Sequence, residues 1–157
     1  MTTRSDDRIL AVDPGTKRIG LAVASVTQGM ASRLAVLDVQ PGASGLERAV
    51  RAVARHAAEE EATRILVGLP LHLDGREGKE ARAARRLGLA LAEATGLPVD
   101  FADERLTSEA AIEEARKSGW TPKSKKPIDD LAAALLLQGW LDDASARAAR
   151  QRLNEST

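Results

Sequence analysis

Apolar positions in this chain fall into two patterns. Some are short runs bounded by turn residues; others recur every three or four residues over longer stretches. Arg8 to Val12 carries the run Ile9-Leu10-Ala11-Val12 and stops at Pro14-Gly15, which predicts a strand. Arg18 to Ser25 alternates and predicts a second strand. Pro14-Gly15 between them suits a hairpin turn in which Gly15 takes positive φ. A third strand is expected over Arg33 to Val39, after a turn at Gly29. Pro41 and Gly42 break the next loop. Leu46, Ala49, Val50, Val53 and Ala57 then repeat at helical spacing and predict a helix from Leu46 to Glu60.

Arg64 to Leu69 has little polar interruption, as in a strand covered on both faces, and Pro70 ends it. Asp74-Gly75 predicts a turn into a helix over Arg76 to Ala94, with Gly96 as its stop. Val99 to Ala102 is a short strand. Thr107 caps an expected helix to about Lys117. Residues 118 to 126 read as a loop, and Pro127 opens a last helix to Arg150. Three strands in a meander, followed by strands alternating with helices, give a mixed five-stranded sheet flanked by helices. That is the layout of the ribonuclease H-like fold.

The chain of 157 residues reads as a single domain, with flexible ends expected at 1–7 and 151–157. Lys and Arg number 23, as do Asp and Glu, so any site for a polyanion must be local. The absence of cysteine excludes disulfides, zinc-thiolate sites and thiol catalysis. The first residues are polar, without a signal-peptide pattern, and the longest apolar run, Leu131 to Leu137, is too short to span a bilayer. No membrane role and a cytoplasmic location are therefore expected. Aromatic residues make up only 2%, so platforms for base stacking are scarce.

The candidate chemistry lies in three acidic segments at the ends of buried elements. Asp13 ends the first strand, Glu104 follows the fifth, and Asp129 and Asp130 open the last helix. Singly, each has an ordinary explanation: a turn residue, a partner for Arg105, or first-turn helix acids favoured by the macrodipole. Together they form an all-oxygen donor set suited to Mg²⁺ or Mn²⁺. Two such ions would clamp the oxygens of an in-line phosphoryl displacement. Gly20 and Gly68 mark either close approach of backbone or ligand, or simple packing. His72 reads as a surface-loop histidine. Residues 116 to 126 hold five basic residues and no acid around Trp120, which suits a nucleic-acid backbone and a splayed base as well as it suits a solvated loop. Lys79, Arg82 and Arg86 share one helix face, read as solvated.

Four segments occur in order: Val12-Asp13-Pro14-Gly15-Thr16-Lys17-Arg18-Ile19-Gly20, Val67-Gly68-Leu69-Pro70 with Asp74-Gly75, Asp103-Glu104-Arg105-Leu106-Thr107-Ser108, and Ile128-Asp129-Asp130-Leu131-Ala132-Ala133. They closely resemble the YqgF (RuvX) family of bacterial pre-16S ribosomal RNA nucleases, also described as Holliday-junction-resolvase-like. The resemblance implies a ribonuclease H-like fold and a divalent-metal nuclease that trims the 5′ end of the 16S precursor. It maps the acidic triad onto Asp13, Glu104 and Asp129, with Asp130 as second choice for the third ligand. His72 departs from the amide residue frequent in that family. Lys17, Arg18, Arg105, Lys123, Lys125 and Lys126 are the expected phosphate contacts, with Trp120 for a base. The expected partner is RNA; branched or single-stranded DNA is the alternative, in a monomer or a homodimer. Two other readings are a resolvase of DNA junctions and a non-catalytic RNA-binding factor. A nucleotide-binding domain of the actin and sugar-kinase type would need a second domain that 157 residues do not hold.

Overall fold

The computed structural model describes residues 6–104 and 129–155, together with Glu113, Arg116, Lys117 and Gly119; of 129–130 and 146–155 it describes the backbone. In chain order the elements are β1 (Arg8–Pro14), β2 (Arg18–Ser25), β3 (Met30–Asp38), α1 (Ala43–Glu59), β4 (Arg64–Leu69), α2 (Lys79–Thr95), β5 (Val99–Asp103) and α3 (Asp129–Glu155). The expected helix from Thr107 to Lys117 and the loop after it lie largely outside the described residues.

The strands form one five-stranded sheet in the order β3-β2-β1-β4-β5. β1, β2 and β3 are an antiparallel meander, and β4 and β5 add parallel to β1. This is the mixed sheet expected from the element order. Period-two alternation divides its residues between two cores. Leu10, Val12, Ile19, Leu21, Ile65 and Val67 meet α1 and α2 on one face. Ile9, Ala11, Ala22, Ala24, Leu66 and Ala102 meet α3 on the other. The second set is rich in alanine, so α3 sits close to the sheet, and its Leu131–Leu137 segment is buried apart from Ala132.

Some local expectations change. Gly15 is not among the residues with positive φ. Space, not dihedral freedom, requires glycine there: a Cβ would lie 2.5 Å from the Arg18 carbonyl oxygen, to which Gly15 N–H donates at 2.9 Å. β3 begins at Met30, earlier than Arg33, because Gly29 in the left-handed region closes a tight turn and α3 holds it. The Gln138 side chain accepts from Ala31 N–H and donates to Gly29 O, each at 2.9 Å. α2 starts at Lys79 and not at Arg76. The preceding residues are used in a turn in which His72 N–H donates to Arg76 O and Asp74 accepts from Arg76 N–H, both at 3.0 Å. Gly96 ends α2 in the left-handed region, as expected. α3 continues to Glu155, past Arg150.

Candidate active site

Strand parity decides which acids can meet. Ile9 and Ala11 face α3, so Asp13 does too. Leu66 faces α3, and so does Gly68; Ala102 faces α3, and Glu104 follows it by two. Val12 pairs with Val67, so the next residues, Asp13 and Gly68, are neighbours across β1 and β4. Gly68 in turn pairs with Ala102, and Glu104 N–H donates to Leu69 O at 3.2 Å, extending the β4–β5 ladder by one bond. On its other side Asp13 pairs with Gly20. The carboxylate thus stands between two glycines at the carboxyl edge of the parallel strands, where open α/β sheets bind ligands.

The Asp13 and Glu104 side chains meet across Gly68. A Cβ on Gly68 would lie 2.7 Å from Glu104 Oε1 and 2.9 Å from Leu136 Cδ2. Glycine there is a steric requirement of the site, which resolves the two readings left open for it. The Glu104 carboxyl is pushed up to about 9, first by burial, then by a hydrogen bond to Asp13 and by the negative charges of Asp13 and Asp103. In that state the two carboxyls hold one proton between them in a hydrogen bond. Two carboxyl groups in contact share a proton because both cannot ionise side by side. A divalent cation between them would take the place of that proton, and an all-oxygen pair suits Mg²⁺ or Mn²⁺. The residues present therefore fit such an ion.

Among the described residues no group of three or more metal-ligating side chains forms. The third acid, Asp129, is the first residue of α3, and its side chain and that of Asp130 lie outside the described residues. The helix is oriented by two anchors. Leu136 sits over Gly68, and Gln138 reaches the β2–β3 turn at the far end of the sheet. Seven residues before Leu136, at about 1.5 Å per residue, α3 begins toward the edge where β1 ends.

Lys17 is exposed in the β1–β2 turn, where its carbonyl accepts from Val39 N–H at 2.9 Å. Arg18 opens β2 opposite Asp38. Arg105, Trp120, Lys123, Lys125 and Lys126 lie outside the described residues. His72 is exposed in the loop after β4, its ring against Gly78, where a Cβ would meet Nε2. Lys79, Arg82 and Arg86 are exposed, as read from the sequence. Sequence reasoning did not foresee Leu136 as the lid over Gly68. Its place inside an unbroken apolar run carries no signal that distinguishes it from its neighbours.

The RuvX family model, described as Holliday junction resolvase, matches residues 7–143. A protein of Chloroflexus aggregans described as "Putative pre-16S rRNA nuclease" is 40% identical over 139 residues, 88% of this chain and 95% of its own. Among solved structures, Thermus thermophilus RuvC in complex with Holliday junction substrate superposes with a TM-score of 0.60 at 18% identity, over 87% of this chain and 94% of that one. The yeast mitochondrial Holliday junction resolvase Ydc2 superposes with a TM-score of 0.62 at 14% identity, over 96% and 84%. These structural likenesses show the fold, which is ribonuclease H-like. With a family model covering most of its length and a close relative aligned nearly end to end, the chain belongs to the RuvX family.

Proposed function

We propose that this protein is a divalent-metal-dependent nuclease that hydrolyses phosphodiester bonds in RNA, with the 5′ leader of the 16S ribosomal RNA precursor as substrate. The observation that carries the reading is the Asp13–Glu104 carboxyl pair held across Gly68 at the carboxyl edge of β1 and β4. The names of relatives such as the Chloroflexus protein support ribosomal RNA as the substrate. Asp13, Glu104 and Asp129 would hold Mg²⁺ or Mn²⁺, with Asp130 as the alternative to Asp129. When bound, such ions supply Lewis-acid charge and an activated water for in-line displacement.

The protein's own groups have separate tasks. Asp13 and Glu104 must both be ionised when the cation is held, so Glu104 gives up its proton on binding. Partial burial of the pair beside Leu136 strengthens its electrostatics. Lys17 and Arg18, beside the turn that follows Asp13, hold substrate phosphates, together with Arg105, Lys123, Lys125 and Lys126; Trp120 stacks on a base. Phosphoryl transfer asks a protein chiefly for positioning and charge stabilisation, which this set provides. Among the described residues no helix is long and apolar enough to cross a membrane.

Resolution of branched DNA is the second reading, favoured by the description of the family model. One experiment separates the two. Labelled RNA carrying a 16S precursor leader, single-stranded DNA and a four-way DNA junction are incubated with Mn²⁺, Mg²⁺ or chelator, using wild type and Asp13→Asn. Metal-dependent cutting of the RNA that falls at least about a hundredfold in the variant is expected. Paired symmetric cuts in the junction alone would transfer the assignment to a resolvase. Binding without cutting in every metal would leave an RNA-binding factor.

A further inference from the structure

A cavity of ≈ 410 Å³ lies on the face of the sheet opposite the carboxyl pair. Its floor is Ile19, Ala49, Ala84 and Leu87, which belong to the core under α1 and α2, whereas Asp13 and Glu104 face α3. One wall is the β1–β2 turn, Pro14-Gly15-Thr16, which begins at the residue after Asp13. The other wall is the start of α1, where Gly42 precedes the helix, no side chain caps it and no acid occupies the first turn. The rim carries Gln40, Glu80 and the exposed Arg86.

We propose that this cavity takes up one unstacked base of the substrate strand, with its phosphate directed toward Arg86 and the first turn of α1. The inference rests on the nuclease reading of the carboxyl pair. The volume lies at the small end of the range for ligand sites, about 300–1,000 Å³, enough for a nucleotide and too little for a folded partner element. An aliphatic floor with hydrogen-bonding groups only at the rim suits a planar base whose edges are polar. Cationic and uncapped N–H groups beside it suit the attached phosphate. The cavity also borders the reaction edge, because its Pro14-Gly15-Thr16 wall directly follows Asp13 in the chain.

The scarcity of aromatic residues strengthens the argument. The chain has one Phe and two Trp. Phe101 is engaged by the Arg85 guanidinium, 5.0 Å from its ring centroid, and Trp140 packs on the core beneath α3. Neither lines the cavity, so a second base, beyond the one assigned to Trp120, would rest on an aliphatic slot.

The test uses full-length Asp13→Asn protein with labelled alanine and leucine methyl groups and an uncleaved RNA oligonucleotide, beside adenosine 5′-monophosphate, adenosine and inorganic phosphate. RNA should shift the Leu46, Ala49, Ala84 and Leu87 methyl signals, and the mononucleotide should shift the same set more weakly. On the otherwise wild-type background, Ala83→Trp, which narrows the mouth from an exposed position, and Arg86→Glu should each raise KM for RNA cleavage about tenfold, with a smaller change in kcat. RNA that is cut by the wild type, and bound by the Asp13→Asn protein without moving these methyl signals, overturns the proposal and leaves the nuclease reading intact. A mononucleotide that occupies the cavity but is not displaced by RNA also overturns it. RNA that shifts the methyl signals, with no cleavage by the wild type in any metal, supports the base site while removing the nuclease reading.

Discussion

At the scale of single residues, the site depends on what Gly68 lacks. An added methyl group meets Glu104 Oε1 at 2.7 Å and Leu136 Cδ2 at 2.9 Å, so either the carboxyl or α3 must move. Gly68→Ala should cost about 1–3 kcal/mol of stability and reduce cleavage more than tenfold. Gly96→Ala is the control. It sits in the left-handed region with nothing within 4 Å, so it should cost about 1 kcal/mol in thermal melts and leave cleavage unchanged. Glu104 makes a second residue-scale prediction. Its carboxyl is raised from 4.5 to about 9, so between those values the folded protein holds a proton that the unfolded chain releases. Stability from this group is complete below about pH 4.5 and is lost as pH rises toward 9. Chelator-treated wild type should therefore melt at progressively lower temperature from pH 5 to 9, relative to Glu104→Gln. Adding Mn²⁺ should flatten that difference, because a bound cation replaces the proton. Equal slopes for the two proteins without metal would show that the carboxyl pair does not share a proton.

At the scale of elements, the ends of the sheet do different work. The amino ends of β1 and β4 are tied by charge. Arg64 Nη2 donates to Asp100 Oδ2 at 2.7 Å, and the Arg8 Nη2 to Glu60 Oε2 pair closes at 2.6 Å. Thr63 Oγ1 donates to Asp7 Oδ1 at 2.9 Å. Arg64 is buried, so removing its partner leaves a charge in the interior. Asp100→Ala should destabilise by about 3 kcal/mol, the lower end because Asp7 remains 3.9 Å from Arg64. Because this cluster lies at the sheet end away from Asp13, KM and kcat measured well below the melting temperature should stay within about twofold. The carboxyl ends, in contrast, bring the Asp13–Glu104 carboxyl pair together beside Gly20 and Gly68, an arrangement that favours function over stability there.

At the scale of the whole molecule, a formal net charge of zero means that no global field draws in a polyanion. Binding must come from local cations, and its salt dependence should count the phosphates they contact. Lys17→Ala, at an exposed turn beside Asp13, should reduce the slope of log affinity against log salt for single-stranded RNA by ~0.7. A titration of labelled RNA at several salt concentrations measures this. An unchanged slope would place Lys17 off the phosphate path.

The sequence by itself determined the elements and their order, because each depends on neighbours in the chain. Alternation at Arg18–Ser25, the uninterrupted Arg64–Leu69 strand and the Gly96 stop are local signals, and the two strands and the end of α2 lie where those signals place them. Order then restricted the sheet to three antiparallel strands and two parallel ones. The acids at Asp13 and Glu104 were legible as ends of buried strands. Their meeting was not, since it needs the register Val12↔Val67 and Gly68↔Ala102, set by packing between strands far apart in sequence. The same holds for Gly15, read as a dihedral requirement and found to be a steric one, and for Leu136, whose role arises only where α3 crosses β4. Local propensity fixes which segments extend or coil; only the close-packed sheet and helices decide which side chains share a few ångströms, and with them the proton affinity of Glu104.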